Sequence, residues 1–343
     1  MINLPRIPDG QAGTEGRARG ALYGLAIGDA LGMPTQLLSR PEIVARWGPL
    51  LTGFEPAPGD HPIAAGHRAG DVTDDTEQAV LLARLLIAGA GTIDPGDLAA
   101  ALVAWEADMK ARGSLDLLGP STRRALAAVQ DGVPPEQAGS TGDTNGAAMR
   151  IAPVGIAVPL DDPGALVDRV VAASFVTHGT SLALAGAAAV AAAVSAGISG
   201  ATVPAATEAA ITAARIAADR GRWVAGADVA ARIEWATRLV AGRPPDQAMD
   251  LIYRLVGTGL ATQESVPAAF AALAVTADDP WLTCRFAASL GGDCDTIAAM
   301  AGAVAGACHG VAAFPAEAAQ TIDRHQLDLP GLADALLALR GAP

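Results

Sequence analysis

Two short acidic clusters, Thr73-Asp74-Asp75-Thr76 and Gly291-Gly292-Asp293-Cys294-Asp295-Thr296, hold the densest chemistry in this chain. Each packs two carboxylates and a hydroxyl into three or four residues. Each opens onto an apolar run of helical character, EQAVLLARLLIAG after the first and IAAMAGAVAGACHG after the second. Carboxylates one or two residues apart cannot share a face of a regular helix, where facing residues lie three or four apart. They can converge on one point from a loop or a helix start. One reading is two capped helices, because Asp and Thr accept the orphan N–H groups there. The other is a ligand set. Four carboxylates with no nearby His or Cys set describe a site for a hard divalent cation, Mg²⁺ or Mn²⁺. A binuclear site is compatible with that acid count, since two ions roughly 3.5–4 Å apart need several bridging carboxylates.

The elements that must position these acids are helices. Hydrophobic residues make up 51% of the 343, but aromatics only 3%, so the core is built from Ala, Leu, Val and Ile. Ala and Leu are strong helix formers. A first helix is expected over 17–31 and a short second one in PEIVARWG. Further helices are expected at about 76–88, 95–110, 121–130, 146–158, 163–175, 180–197, 203–219, 226–241, 245–256, 264–275, 281–290, 296–313 and 330–340. Strand signals are almost absent. The Pro- and Gly-rich stretch 49–72 reads as an ordered loop that delivers the chain to the first cluster. Residues 1–16 read as a disordered tail, and 17–343 as one all-α domain with no linker-like break.

The net charge of −13 argues against a nucleic-acid or membrane partner, since phosphate neutralisation needs a basic surface. The apolar window 182–198 is short and mostly Ala and Gly, which suits a buried helix. The start of the chain has no apolar signal-like run. Cys284, Cys294 and Cys308 are odd in number and lack metal spacing, so they read as reduced thiols and the expected location is cytoplasmic. No oligomeric state is read from the sequence.

Five motifs in order give the chain a family resemblance: RARGALYGLAIGDALG, VTDDTEQAV, NGAAMRIAPVG, THGT and GGDCDTIAAMAGAVAGACHG. Between about 17 and 312 it resembles the ADP-ribosylglycohydrolase family, which includes dinitrogenase-reductase-activating glycohydrolases and ADP-ribosyl-acceptor hydrolases. The resemblance implies an all-α orthogonal multi-helix bundle with two Mg²⁺ or Mn²⁺ ions. It also implies hydrolysis of the glycosidic bond at the ribose anomeric carbon of ADP-ribosylated protein or small-molecule adducts. Thr73, Asp74, Asp75, Asp293, Asp295 and Thr296 would then hold metal, and Asp116 would approach the metals and the ribose, with a turn cap as its plainer role.

Asn145 and Gly146 would meet a ribose hydroxyl or phosphate, or simply cap a helix. Arg150 would pair a phosphate or snorkel to the surface. His178 would face the diphosphate or ribose, or serve as a core or cap histidine. Gly28 and Asp29 read as structural, the Asp bracing the ligands. Gln36 stands where many members have a Glu. It can coordinate through its carbonyl or hydrogen-bond a hydroxyl, but it cannot act as a general base. That role then falls to a metal-bound hydroxide or to an aspartate such as Asp295. The same departure makes a smaller nucleoside-like N-glycoside credible. A catalytically silent ADP-ribose-binding protein is the third reading.

Overall fold

A computed structural model describes residues 12–114 and 118–340. Among the described residues the chain is helical and contains no strand, only isolated bridges pairing Thr144 with Ala261 and Thr180 with Arg222. The first helices are α1 (Thr14–Gly32), α2 (Arg40–Trp47), α3 (Asp74–Ala88), α4 (Pro95–Ala111) and α5 (Pro120–Gln130). Three short ones follow, α6 (Pro135–Ala138), α7 (Gly146–Met149) and α8 (Ala152–Ala157). Next come α9 (Pro163–Ser174), α10 (Ser181–Ile198), α11 (Val203–Ala218), α12 (Val229–Val240) and α13 (Pro245–Leu251). The last are α14 (Thr262–Val275), α15 (Pro280–Ala288), α16 (Cys294–His309), α17 (Ala316–Asp323) and α18 (Leu329–Leu339).

Helix starts follow local chemistry. Asp94, Asp162, Thr202 and Asp279 each precede a Pro in the first two helical positions and accept first-turn N–H groups. Some expected boundaries shift for local reasons. The helix expected at 146–158 is two pieces, because Pro153 cannot donate to residue 149 and its ring crowds that carbonyl. The segment expected at 245–256 passes into a π-helical turn at Ile252–Val256. Gly310, at φ 84°, ends α16 before a 3-10 turn. Helices α6 and α17 fall where none was expected. Helix α1 begins at Thr14, inside the segment read as a tail, whose residues 1–11 lie outside the described ones.

The core is alanine-rich. Helix α10 is buried along its whole length and packs on α11 and α16, so the apolar window 182–198 is an interior helix. The three cysteines are free and buried. Helix α1 lies along α16, and this pair frames the site.

Candidate active site

The α1–α16 contact is set by glycine. Gly20, Gly24, Gly28 and Gly32 recur every fourth residue, placing them on one face of α1. A Cβ on Gly24 would stand 2.0 Å from Gly302 O, and one on Gly28 2.0 Å from Ala298 O. A Cβ on Gly32 would stand 2.2 Å from Asp295 Cα, so the backbone of α1 rests directly on the first turn of α16. One turn back, buried Asp29 anchors the other cluster. Its carboxylate accepts from Thr73 N (2.9 Å) and Thr73 Oγ1 (2.7 Å), and from Thr76 N (3.2 Å) and Thr76 Oγ1. Helix α1 thus holds the starts of α3 and α16 side by side.

The second cluster is shaped by a Gly-Gly turn at positive φ (86° and 71°). Leu37 N donates to Gly292 O at 2.7 Å, Gly292 N to Leu38 O at 2.9 Å, and Asp293 N to Thr258 O at 2.7 Å. A Cβ on Gly292 would stand 2.3 Å from Thr258 O. Asp293 occupies the N-cap position of α16 but makes no side-chain cap hydrogen bond. Its carboxylate accepts instead from Asn145 Nδ2 at 2.5 Å, and the same nitrogen donates to Ser265 Oγ at 3.0 Å. The capping reading therefore does not account for Asp293. At α3 the cap is Thr73, which leaves the carboxylates of Asp74 and Asp75 for other partners.

The two clusters meet. Thr296 Oγ1 donates to Asp75 Oδ2 at 3.3 Å across 221 residues of sequence. Asp75 is fully buried and its Oδ1 has no hydrogen-bond partner. Burial pushes its carboxyl well above the usual range, helped by repulsion from Asp295, Asp74, Asp29 and Asp293. Asp293 is pushed up to about 6, mainly by burial, against hydrogen bonds from Asn145 and Thr296 that lower it. Burial also raises Asp29, opposed by its four donors. Mutually repelling buried carboxylates are held together at a free-energy cost that a bound cation relieves. Among the described residues no three His, Cys, Asp or Glu groups stand at metal-ligand spacing. The fit to a divalent cation rests on the oxygen-only donors, the unpartnered Asp75 Oδ1 and the strained charge balance.

A cleft of about 280 Å³ opens over the acids, lined among others by Gln36, Asp74, Asn145, Gly146, Asp293, Asp295 and Thr296. Arg150 and His178 do not reach it. Both are fully buried behind it and form a relay. Arg150 Nη1 donates to Gln78 Oε1 at 2.9 Å, and Gln78 Nε2 to Asp74 Oδ2 at 2.9 Å. Arg150 Nη2 donates to Thr177 Oγ1, which also contacts His178 Nδ1 at 2.8 Å. Burial lowers His178 well below its ordinary range, with Arg150 and Arg124 adding to the effect, so the ring is neutral. Gly146 passes so close to that ring that a Cβ would stand 2.9 Å from Cε1. Asp116 lies outside the described residues. Gln78 carries no motif of its own, although its i+4 spacing from Asp74 is a visible signal. Ser265 and Thr258 had no local signal at all.

The structure is an all-α body with buried carboxylates under a small cleft. The chain belongs to the ADP-ribosylglycohydrolase family, whose sequence profile matches residues 10–343. It is 38% identical over 326 residues to the Escherichia coli K12 protein YegU, covering 94% of this chain and 97% of that one. It is 28% identical over 344 residues to the ADP-ribosyl-[dinitrogen reductase] glycohydrolase of Rhodospirillum rubrum, covering 95% and 97%. A solved structure titled ADP-ribosylglycohydrolase-related protein complex superposes with a TM-score of 0.70 at 27% identity, covering 95% and 98%. The family expected from the five motifs and the all-α fold both stand. The protein is a glycohydrolase acting on a ribosyl substrate.

Proposed function

We propose that this glycohydrolase cleaves the bond at the ribose anomeric carbon of ADP-ribosyl or related ribosyl adducts, using water activated at a divalent-cation centre. The observation that carries this reading is the meeting of Asp74 and Asp75 with Asp293, Asp295 and Thr296 beneath one cleft. Thr73, Asp74, Asp75, Asp293, Asp295 and Thr296 would hold Mg²⁺ or Mn²⁺, two ions on this reading, which when bound lower the pKa of water and orient ribose hydroxyls.

The chain's own residues do the rest. Glycoside cleavage passes through an oxocarbenium-like state, and surplus carboxylate charge beside the sugar offsets the positive charge on the ring. The oxygen of water bonds to the anomeric carbon while the bond to the leaving group breaks. Gln36 cannot take the proton released by the water. Asp295, in the first turn of α16 on the cleft wall, accepts it and returns it to the leaving group. Asn145 aims Asp293, and the Arg150–Gln78 relay holds Asp74. A hydrolysis screen of ADP-ribosyl-arginine, ADP-ribosyl-serine and ribonucleosides, run with and without Mg²⁺ or Mn²⁺, tests the proposal. Cation-dependent release is expected from the wild type and none from the Asp293→Ala/Asp295→Ala double variant. Cation-dependent turnover surviving in that variant contradicts it.

A further inference from the structure

We infer that the leaving group this cleft accepts is an uncharged planar ring carrying a hydrogen-bond acceptor, not a guanidinium; the inference rests on the ribosyl-hydrolase reading above. Gln36 lines the cleft with Asp293 and Asp295, is 4% exposed, and its Nε2 has no hydrogen-bond partner. A buried amide N–H needs an acceptor. A guanidinium offers five donors and no acceptor, whereas a base-like ring offers a carbonyl oxygen or ring nitrogen. The acids attract a guanidinium from a distance. The unpaired donor at Gln36 is satisfied by an acceptor and not by a further donor.

The next residue points the same way. Leu37 lies at φ 59°, a left-handed conformation that a leucine rarely adopts, and its side chain is 49% exposed at the cleft. Its N–H is held to Gly292 O, beside the acids. Strain of this kind persists where the surrounding structure over-determines it, commonly at ligand clamps. Leu260 is also exposed (42%) on the same cleft, and its carbonyl is tied to Asn145 N at 3.0 Å. Two exposed leucines, one tied by its backbone to Gly292 and the other to Asn145, suit the apolar faces of a flat ring. Among the described lining residues Arg123 is the one cation, and its Nη2 already donates to Leu118 O at 2.7 Å. The cleft volume of about 280 Å³ falls just below the roughly 300–1,000 Å³ typical of small-molecule sites, in keeping with a compact leaving group. The bond cut is the ribosyl C–N bond. Its electron pair leaves on the ring nitrogen, and water supplies hydroxyl to carbon and a proton to nitrogen.

Titration calorimetry of the full chain with uridine and with agmatine, EDTA present, separates recognition from turnover. The wild type is expected to bind uridine at least about 10-fold more tightly than agmatine. Gln36→Glu should reverse that order. Leu37→Gly and Leu260→Ala should each weaken uridine about 10-fold, while Leu37→Gly keeps or raises the melting temperature because glycine accepts the left-handed backbone. Tighter agmatine binding by the wild type, or uridine affinity indifferent to both leucine changes, overturns the inference and leaves the hydrolase reading standing. In a parallel assay with Mg²⁺, faster cleavage of uridine or UDP than of ADP-ribosyl-arginine supports the inference, and comparing uridine with UDP distinguishes bare from phosphorylated ribose. Faster cleavage of ADP-ribosyl-arginine overturns it. If uridine binds as stated but no ribosyl compound is cleaved, the hydrolase reading is the one that fails.

Discussion

Asn145 Nδ2 donates to both Asp293 Oδ2 and Ser265 Oγ, so this amide aims the carboxylate and opposes the rise that burial imposes on it. Asn145→Ala should therefore lower kcat/KM at pH 7 by about 10- to 100-fold, in line with the loss of an outer-shell partner. The acidic limb of the pH profile should move upward, because removing a donor to the charged form raises the carboxyl further. An unmoved acidic limb would mean the contact is only structural. The same carboxylates govern stability. Asp293 titrates near 3.8 when unfolded and at about 6 when folded, so between those values the native chain holds a proton that the unfolded chain has released. Its contribution is complete below about pH 4 and is lost as the pH rises through about 6, on the order of 3 kcal/mol. Asp75 and Asp29, also raised, act in the same direction. In EDTA the melting temperature should be higher at pH 5 than at pH 7.5, and millimolar Mn²⁺ should remove that difference. A protein that melts higher at pH 7.5 in EDTA contradicts this charge balance. At this scale the acid clusters and Asn145 were legible from residue type and spacing. The placement of Arg150 and His178 was not, because it depends on Gln78 and Thr177 reaching them from other elements.

Helices α1 and α16 convert a four-residue glycine spacing into an active-site frame. Gly28→Ala puts a methyl group 2.0 Å from Ala298 O, and Gly302→Ala puts one 2.1 Å from Gly24 O. Each should destabilise the fold by at least about 3 kcal/mol in urea unfolding, the upper end for overpacking, because backbone rather than a flexible side chain is in the way. Any folded fraction should bind Mn²⁺ more weakly, since the helices carrying Asp29 and Asp295 are pushed apart. Gly59→Ala, with nothing within 4 Å, serves as a near-neutral control. A Gly28→Ala protein as stable as the wild type would remove the close helix contact from the account. Most helices were legible through Ala and Leu content and through Asp-Pro or Thr-x-Pro starts. Their interruptions were less so: Pro153 splits one segment, and the π-helical turn at Ile252–Val256 satisfies backbone groups in a way that periodicity does not report.

The whole chain carries a net charge of −13 above a site built from acids. Anionic substrates are therefore repelled on approach, and salt screens the repulsion within a Debye length of about 10 Å at 0.1 M. Raising ionic strength from 10 to 150 mM should increase kcat/KM for an ADP-ribosylated substrate by roughly 2- to 5-fold, while leaving a neutral ribonucleoside nearly unaffected. Equal salt responses would place the repulsion too far from the cleft to matter. That Asp74 and the Asp293, Asp295 and Thr296 group line one cleft was not written in any local pattern. Each cluster has its own helix, and only the packing of α1 against both makes them one site. The direct test is a crystal grown with Mn²⁺, read by anomalous scattering at the manganese edge. A peak is expected bounded on one side by Asp74 or Asp75 and on the other by Asp293 or Asp295, with Mn–O distances of about 2.0–2.3 Å. Manganese held by one cluster alone, or by neither, contradicts it.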